Sequence, residues 1–368
     1  MRLRDLGITI GQLEPGPLDA ITDVEGVRVG VTTLVRGDGP LVVGQGPVRT
    51  GVTVIVPHDR IAGEPLFAGC HRLNGNGELT GLEWVRESGT LTTPVAITNT
   101  HSVGVVRDAL ALADAGQHPR LGSYWSLPVV GETYDGTLND INGGHVTAEH
   151  LHQALATASD GPVPEGNVGG GTGMICHEFK GGTGTASRLV ASDAGGWTVG
   201  ALVQANYGDR SRLMVDGVPV GREIGTDLVP SPFEQPQDSG SIIAILATDA
   251  PLLPHQCERL AQRAGLGIAR AGGAGAHSSG DLFLCFSTAN RGRLHAYKDE
   301  LPGTVVRVDM LPDTAITPLF WAAIESTEEA ILNALCAAET MTGRDGATAH
   351  AVPHDRLVEV VERYRPGR

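Results

Sequence analysis

Residues 242–248, Ile-Ile-Ala-Ile-Leu-Ala-Thr, form an apolar run of strand length that starts directly after a segment of poor strand and helix formers, Ser231-Pro232-Phe233-Glu234-Gln235-Pro236-Gln237. The run reads as a core strand, and Asp238-Ser239-Gly240-Ser241 is its entrance. Ser241 therefore stands where a loop meets rigid structure, behind a glycine that needs no side-chain room. That position suits a nucleophile. An ordinary turn closed by Gly and Ser explains the same letters, so the rest of the chain has to decide between them.

Short β-type runs occupy residues 21–31, 41–43 and 51–57, separated by Gly- and Pro-rich turns. Two Asn-Gly steps within residues 73–81 mark tight backbone, either a plain turn or a loop lining a site, and a short helix follows through residues 83–86. Further strands are expected at residues 95–100, 127–136, 197–206, 282–290 and 303–308, and helices at 103–115, 146–157, 253–271, 313–338 and 354–364. Long helices beside several strands predict an α/β protein in which a sheet is covered by helices.

Several function classes fall away on charge and spacing. The net charge is −15 and no basic run exists, which argues against a nucleic-acid backbone or an anionic membrane as partner. The five cysteines are scattered without a C-x-x-C pair, so neither a disulfide framework nor a thiolate metal cage is expected. No stretch reaches 18 apolar residues, and the N-terminus lacks a signal-peptide pattern, which points to a cytoplasmic protein. The glycine-dense residues 165–188 invite a phosphate-loop reading, but Lys180 is followed by two glycines, so the required spacing is absent. A close-packed hairpin is the better expectation there. His177 and Glu178 are adjacent, which on a strand sends them to opposite sides and makes them a poor metal pair. No cofactor or metal is expected.

What remains is a set of polar residues at strand ends, where a scaffold fixes side chains better than free loops do. Glu132 offers a carboxylate for a cationic group, or a carboxylate satisfied by local turn N–H groups. Asn206 offers neutral amide donors where negative charge develops on a carbonyl oxygen, or a structural cap. Ser279 and Asp281 lie two apart, hence on one side of an extended segment, as a hydroxyl–carboxylate relay or a strand-entry cap. The surrounding glycines of a G-x-S-x-G elbow are missing at Ser241. A serine behind a glycine has another route: if the bond before it is cut, its own α-amine becomes the base.

Taken together, Asn74-Gly-Asn-Gly-Glu78, Gly131-Glu-Thr-Tyr-Asp-Gly136, Gly166-Asn-Val-Gly-Gly-Gly-Thr-Gly173, Ala205-Asn-Tyr-Gly208, Gly240-Ser241 and His277-Ser-Ser-Gly-Asp281 span nearly the whole chain in order. In these segments the chain resembles the L-aminopeptidase/D-esterases and β-aminopeptidases, self-cleaving N-terminal-serine peptidases related in fold to ornithine acetyltransferase. The resemblance implies a four-layer α/β/β/α sandwich, one catalytic domain over residues 1–368, and cleavage between Gly240 and Ser241 into pieces 1–240 and 241–368. It implies that Ser241 is the nucleophile, Asn206 the oxyanion donor, and Ser279 with Asp281 the pair that orients the nucleophile and shuttles a proton. Relatives can carry Glu at the last position, so here the acid is kept in type on a shorter side chain. Glu132 would receive the ammonium of the substrate, with Tyr134 lining the same pocket, and the cleaved pairs would assemble as an oligomer. Substrates would be short peptides, amino acid amides or esters. An acetyl transferase of the ornithine type, which normally uses threonine, is the rival enzyme; a noncatalytic small-molecule-binding protein is the rival from another class.

Overall fold

The computed structural model describes residues 1–117, 123–234, 239–295 and 305–365. Its first half contains strands β1 (Arg28–Arg36), β2 (Val48–Val56) and β3 (Leu66–Gly75), helix α1 (Leu82–Ser88), β4 (Thr90–Leu91), β5 (Val95–Asn99), α2 (Val103–Gln117), β6 (Val129–Thr133) and α3 (Ala148–Ala156). The second half opens with the two-residue strands β7 (Ile175–Cys176) and β8 (Phe179–Lys180), then β9 (Gly182–Leu189), β10 (Thr198–Asn206), α4 (Val220–Glu223) and β11 (Ser239–Thr248). It closes with α5 (Pro254–Arg270), β12 (Ser278–Ser287), α6 (Thr317–Ala337), β13 (Met341–Thr342), β14 (Thr348–Ala349) and α7 (His354–Tyr364).

Two sheets are packed face to face. One has the order β1-β2-β5-β6 and the other β4-β3-β12-β11-β10-β9. Between them lies an apolar layer in which Ile55, Val95, Ile97 and Val129 meet Leu202, Ile243, Ile245, Leu284 and Phe286. Helices α2 and α3 cover the outside of the smaller sheet through Val106, Leu110, Leu151 and Ala154. Helices α5 and α6 cover the outside of the larger one through Leu260, Ala264, Ile268, Leu319, Ala330 and Ile331. This is the four-layer α/β/β/α sandwich that the sequence led us to expect.

Strand β11 shows why its sequence is an unbroken apolar run rather than an alternating one. Successive side chains point to opposite faces, so Ile242, Ala244 and Leu246 pack beneath the helices while Ile243, Ile245 and Ala247 face the other sheet. Both faces are buried, and each Ile or Leu placed there contributes roughly 1.5–3 kcal/mol. In the larger sheet β11 pairs antiparallel with β10 and parallel with β12. The parallel partner requires a crossover, which α5 provides.

Helix α6 is fixed to the larger sheet by charge as well as by packing. Arg188 of β9 is completely buried and donates to Glu329, to Glu325 Oε2 at 3.3 Å and to Asp19 Oδ1 at 3.4 Å. With Arg4 on Glu329 at 2.7 Å and Arg270 on Glu328 at 3.2 Å, it offsets the negative charge of the acidic residues on that helix face.

Some expected elements come out differently. Residues 21–31 split into a 3₁₀ turn (Ile21–Asp23) and the start of β1. Residues 41–43 contribute only a bridge, Val42 to Gly46, inside the β1–β2 connection, where Gly37, Gly39, Gly44 and Gly46 all take positive φ. Of the strand expected at 303–308, residues 303 and 304 lie outside the described residues and 305–308 are irregular; Val305 is 87% exposed, so its β-branched side chain has no sheet to pack on. The expectation missed β3, whose antiparallel pairing with β12 begins at Gly75. Among the described residues, no helix is long and apolar enough to cross a membrane.

The glycine cluster has its explanation in close approach. Gly169–Gly171 form a 3₁₀ turn wedged between the sheets, and a Cβ on Gly170 would lie against the Gln204 amide and 2.7 Å from the Ile97 carbonyl oxygen. The hairpin expected in this region exists, but it is β7–β8, and His177 and Glu178 are its two turn residues, with φ of 48° and 60°. They do not alternate across a strand as expected. A two-residue turn of this kind needs positive φ at both positions, and buried hydrogen bonds hold it: His177 N donates to the Tyr207 carbonyl oxygen at 2.7 Å, and Arg210 donates to the carbonyl oxygens of both turn residues at 2.9 and 2.8 Å.

Candidate active site

Register places the site. In the larger sheet Ser241 lies directly opposite Asn206 on one side and Gly280 on the other, so three strands deliver their ends to one point. Gly240 precedes it with φ of 141°, a conformation that residues with a Cβ adopt only under strain. A Cβ there would meet the Asn206 carbonyl oxygen and lie 2.6 Å from Tyr207 Cα. The glycine is thus required twice, by its backbone angle and by the closeness of β10.

Ser241 is buried, yet it borders a cavity of about 590 Å³ together with Asn206, Glu132, Tyr134 and Gly240. Its Oγ donates to the Gly240 carbonyl oxygen at 2.6 Å and accepts from Gly280 N at 3.2 Å. The hydroxyl of a serine is therefore held against the carbonyl of its own preceding peptide bond, with a backbone N–H beside it.

Asn206 has a fixed amide. Its Oδ1 accepts from Ile175 N at 2.8 Å and its Nδ2 donates to the Tyr134 carbonyl oxygen at 3.0 Å. Both contacts are structural, as the capping reading required, and Nδ2 keeps a second hydrogen for the cavity.

Glu132 is buried at the end of β6. Its Oε1 accepts from Glu78 N at 2.9 Å, and its Oε2 accepts from the Thr100 hydroxyl. Burial raises its pKa, and the hydrogen bonds from Thr100 and Glu78 N oppose that rise. Each oxygen has one donor, so a carboxylate facing the cavity retains lone pairs for a cation.

Ser279 and Asp281 lie on one side of β12, as their spacing requires, and Ser279 Oγ donates to Asp281 Oδ1 at 2.6 Å. Burial pushes the Asp281 carboxyl up to about 6, against hydrogen bonds from Ser279 and Ile242 N that lower it. The pair sits behind Ser241: Ser279 is in register with Gly240 and Asp281 with Ile242. Neither residue lines the cavity, whereas Ser278 does.

The Asn74–Glu78 loop lines the site, the less expected of its two readings. Asn76, Gly77 and Glu78 border the cavity, and Asn74 Nδ2 donates to the Ala276 carbonyl oxygen at 2.9 Å, tying β3 to the start of β12. Reading the sequence from the residues alone missed Gly280 N, Thr100, Glu178 and Phe233, which join the site only through pairing or folding. A backbone N–H has no sequence signal of its own, and Thr100 reveals itself only as the polar residue just past a buried strand.

Comparison with known proteins shows the family and the fold. The family model for peptidase family S58 matches residues 19–349. The β-peptidyl aminopeptidase BapA of Sphingosinicella microcystinivorans is 49% identical, over 99% of this chain and 92% of its own length. Among solved structures, a Burkholderia sp. β-aminopeptidase superposes with a TM-score of 0.92 at 55% identity, covering all of both chains. The L-aminopeptidase D-Ala-esterase/amidase of Ochrobactrum anthropi, described as a variant of the Ntn hydrolase fold, gives 0.88 at 44% identity over 99% of this chain and 98% of its own.

Proposed function

The chain belongs to peptidase family S58 and is a serine aminopeptidase, and we propose that Ser241 is its nucleophile, set free when the Gly240–Ser241 bond is cut. The observation that carries this reading is the position of Ser241 Oγ, 2.6 Å from the Gly240 carbonyl oxygen and within reach of Gly280 N. In the precursor, Oγ attacks the Gly240 carbonyl carbon and the peptide C–N bond breaks. The Oγ proton passes to the departing nitrogen, which leaves an ester and a free amine. Water then hydrolyses the ester, releasing the Gly240 carboxylate and Ser241 as a new N-terminus.

Sheet order supports the survival of the cut protein as one body. β11 from Ser241 onward and all of β12, both in the second piece, lie between β3 and β10 of the first. Eight register pairs join β11 to β10 alone, from Asn206–Ser241 to Val199–Thr248. Cleavage at residue 240 therefore leaves both ladders intact.

In the mature enzyme the Ser241 α-amine, with an unperturbed pKa of about 8, takes the Oγ proton as Oγ attacks the substrate carbonyl. Asn206 Nδ2 and Gly280 N receive the developing oxyanion. The amine or alcohol leaves with a proton, and water hydrolyses the acyl-enzyme. Ser279 and Asp281, hydrogen-bonded to each other behind Ser241, take the orienting and proton-relaying role that the family resemblance implies. Glu132 pairs with the substrate ammonium, a contact that N-blocked peptides lack. Short peptides, amino acid amides and esters fit this arrangement, and β-amino acid substrates come into range through the β-peptidyl and β-aminopeptidase relatives.

Mass spectrometry of the purified protein under denaturing conditions, with N-terminal sequencing, tests the reading. Two pieces are expected, the second beginning at Ser241, and native mass spectrometry of the same sample reads their assembly. Ser241→Ala is expected to give one uncleaved, inactive chain. A wild-type enzyme that is fully active as a single uncut chain overturns the proposal.

A further inference from the structure

The amide of Asn206 is set by a peptide unit that is itself held by a buried ammonium. Lys180, the second residue of β8, is fully buried. Its Nζ donates to the Met174 carbonyl oxygen at 2.7 Å, to that of Gly181 at 2.8 Å and to that of Gly171 at 3.4 Å. All three partners are backbone carbonyls. Burying an ammonium among neutral dipoles is costly, and burial lowers this one to about 7, against weak support from Cys176 and Asp135. Methionine would fill the same volume without that cost, so packing does not account for a lysine here.

Met174 C=O and Ile175 N–H are the two ends of one planar peptide unit. The oxygen accepts from Lys180 Nζ and also from Gly181 N at 2.9 Å. The N–H donates to Asn206 Oδ1 at 2.8 Å. Clamping the oxygen fixes the direction of the N–H, and a cation on the carbonyl polarises the unit so that its N–H becomes a stronger donor. That donor decides which way the Asn206 amide lies. A flipped amide would set Nδ2 against the Ile175 N–H and Oδ1 against the Tyr134 carbonyl oxygen, and would turn an acceptor toward the cavity.

We propose that Lys180 is a positioning residue for the reaction: acting through the 174–175 peptide, it locks the Asn206 side chain so that the Nδ2 hydrogen not given to Tyr134 points toward the place where the oxyanion forms. The inference rests on Asn206 being the oxyanion donor. Lys180 itself touches neither substrate nor Ser241.

The experiment is a double-mutant cycle of Lys180→Met with Asn206→Ala, reading kcat and KM of the processed enzyme per serine counted with a serine acylating reagent. Lys180→Met is expected to lower kcat about tenfold, part of the loss that follows removal of an oxyanion donor, and to leave KM within about threefold. In the Asn206→Ala background the same change is expected to alter kcat less than about twofold, because the group it acts through is gone. If Lys180→Met does not accumulate as folded protein, Lys180→Gln carries the same cycle, with a smaller loss of kcat that again vanishes when Asn206 is absent. Equal losses in both backgrounds, or a lowered Tm with kcat unchanged, overturn the inference. Asn206→Ala with undiminished kcat instead overturns the assignment of the oxyanion donor, so the two failures are distinguishable.

Discussion

Replacing Glu132 by Gln removes the charge proposed to meet the substrate ammonium while leaving the surrounding hydrogen bonds a way to re-form. Glu78 N can only donate, so the Gln carbonyl oxygen takes the place of Oε1; the Thr100 hydroxyl turns and accepts from the new NH₂. The fold is therefore expected to survive. Opposite charges about 4 Å apart attract by about 4 kcal/mol at an effective dielectric of about 20, and truncating one partner of a buried charge pair costs at least about 2 kcal/mol in measured complexes. A loss of about 2–4 kcal/mol is about 30- to 1,000-fold in kcat/KM. The assay compares an aminoacyl p-nitroanilide with its des-amino counterpart, which carries no ammonium. Glu132→Gln should lose the expected factor on the first and change less than about threefold on the second. Equal losses on both substrates would show that Glu132 supports the site without recognising the amine.

Gly240→Ala combines a forbidden backbone angle with a collision against β10, where strain alone costs about 1–3 kcal/mol. The variant is expected to be found mostly uncut by denaturing mass spectrometry; processing at the wild-type rate contradicts the geometry argued for the proposed scissile bond. The Asp281 carboxyl, raised to about 6 by burial, binds its proton more tightly folded than unfolded, where its pKa is about 3.9. Its contribution to stability is complete below the unfolded value and is lost as pH rises through about 6, so Asp281→Asn should flatten the fall in Tm across that window, and an unchanged pH dependence refutes the assignment. Arg188→Met leaves Glu325, Glu329 and Asp19 short of their buried partner, with an expected loss of about 3–5 kcal/mol in urea unfolding; a loss under about 1 kcal/mol would mean that the acids are neutral in the folded protein.

The letters of this chain carry the parts that obey local rules. An apolar run too continuous for one-sided burial made residues 242–248 a core strand, and helical spacing gave α7 at its observed bounds. Gly240 before Ser241 is legible because only glycine tolerates that backbone, and the two-residue spacing of Ser279 and Asp281 sets them on one side of a strand. Composition also left the valine-rich residues 305–308 looking like a strand, since propensity has no knowledge of whether a partner is present.

Pairing across distance belongs to the tertiary structure alone. Nothing local states that residue 241 will lie opposite both 206 and 280, that a backbone N–H from β12 will meet the serine hydroxyl, or that Lys180 will reach Met174 behind Asn206. Sequence motifs in a known order supplied the family and the candidate residues, because each motif is a short stretch whose chemistry is its own. Register, burial and hydrogen-bond direction are sums over contacts between stretches far apart in the chain, and they exist only once the two sheets have closed on each other.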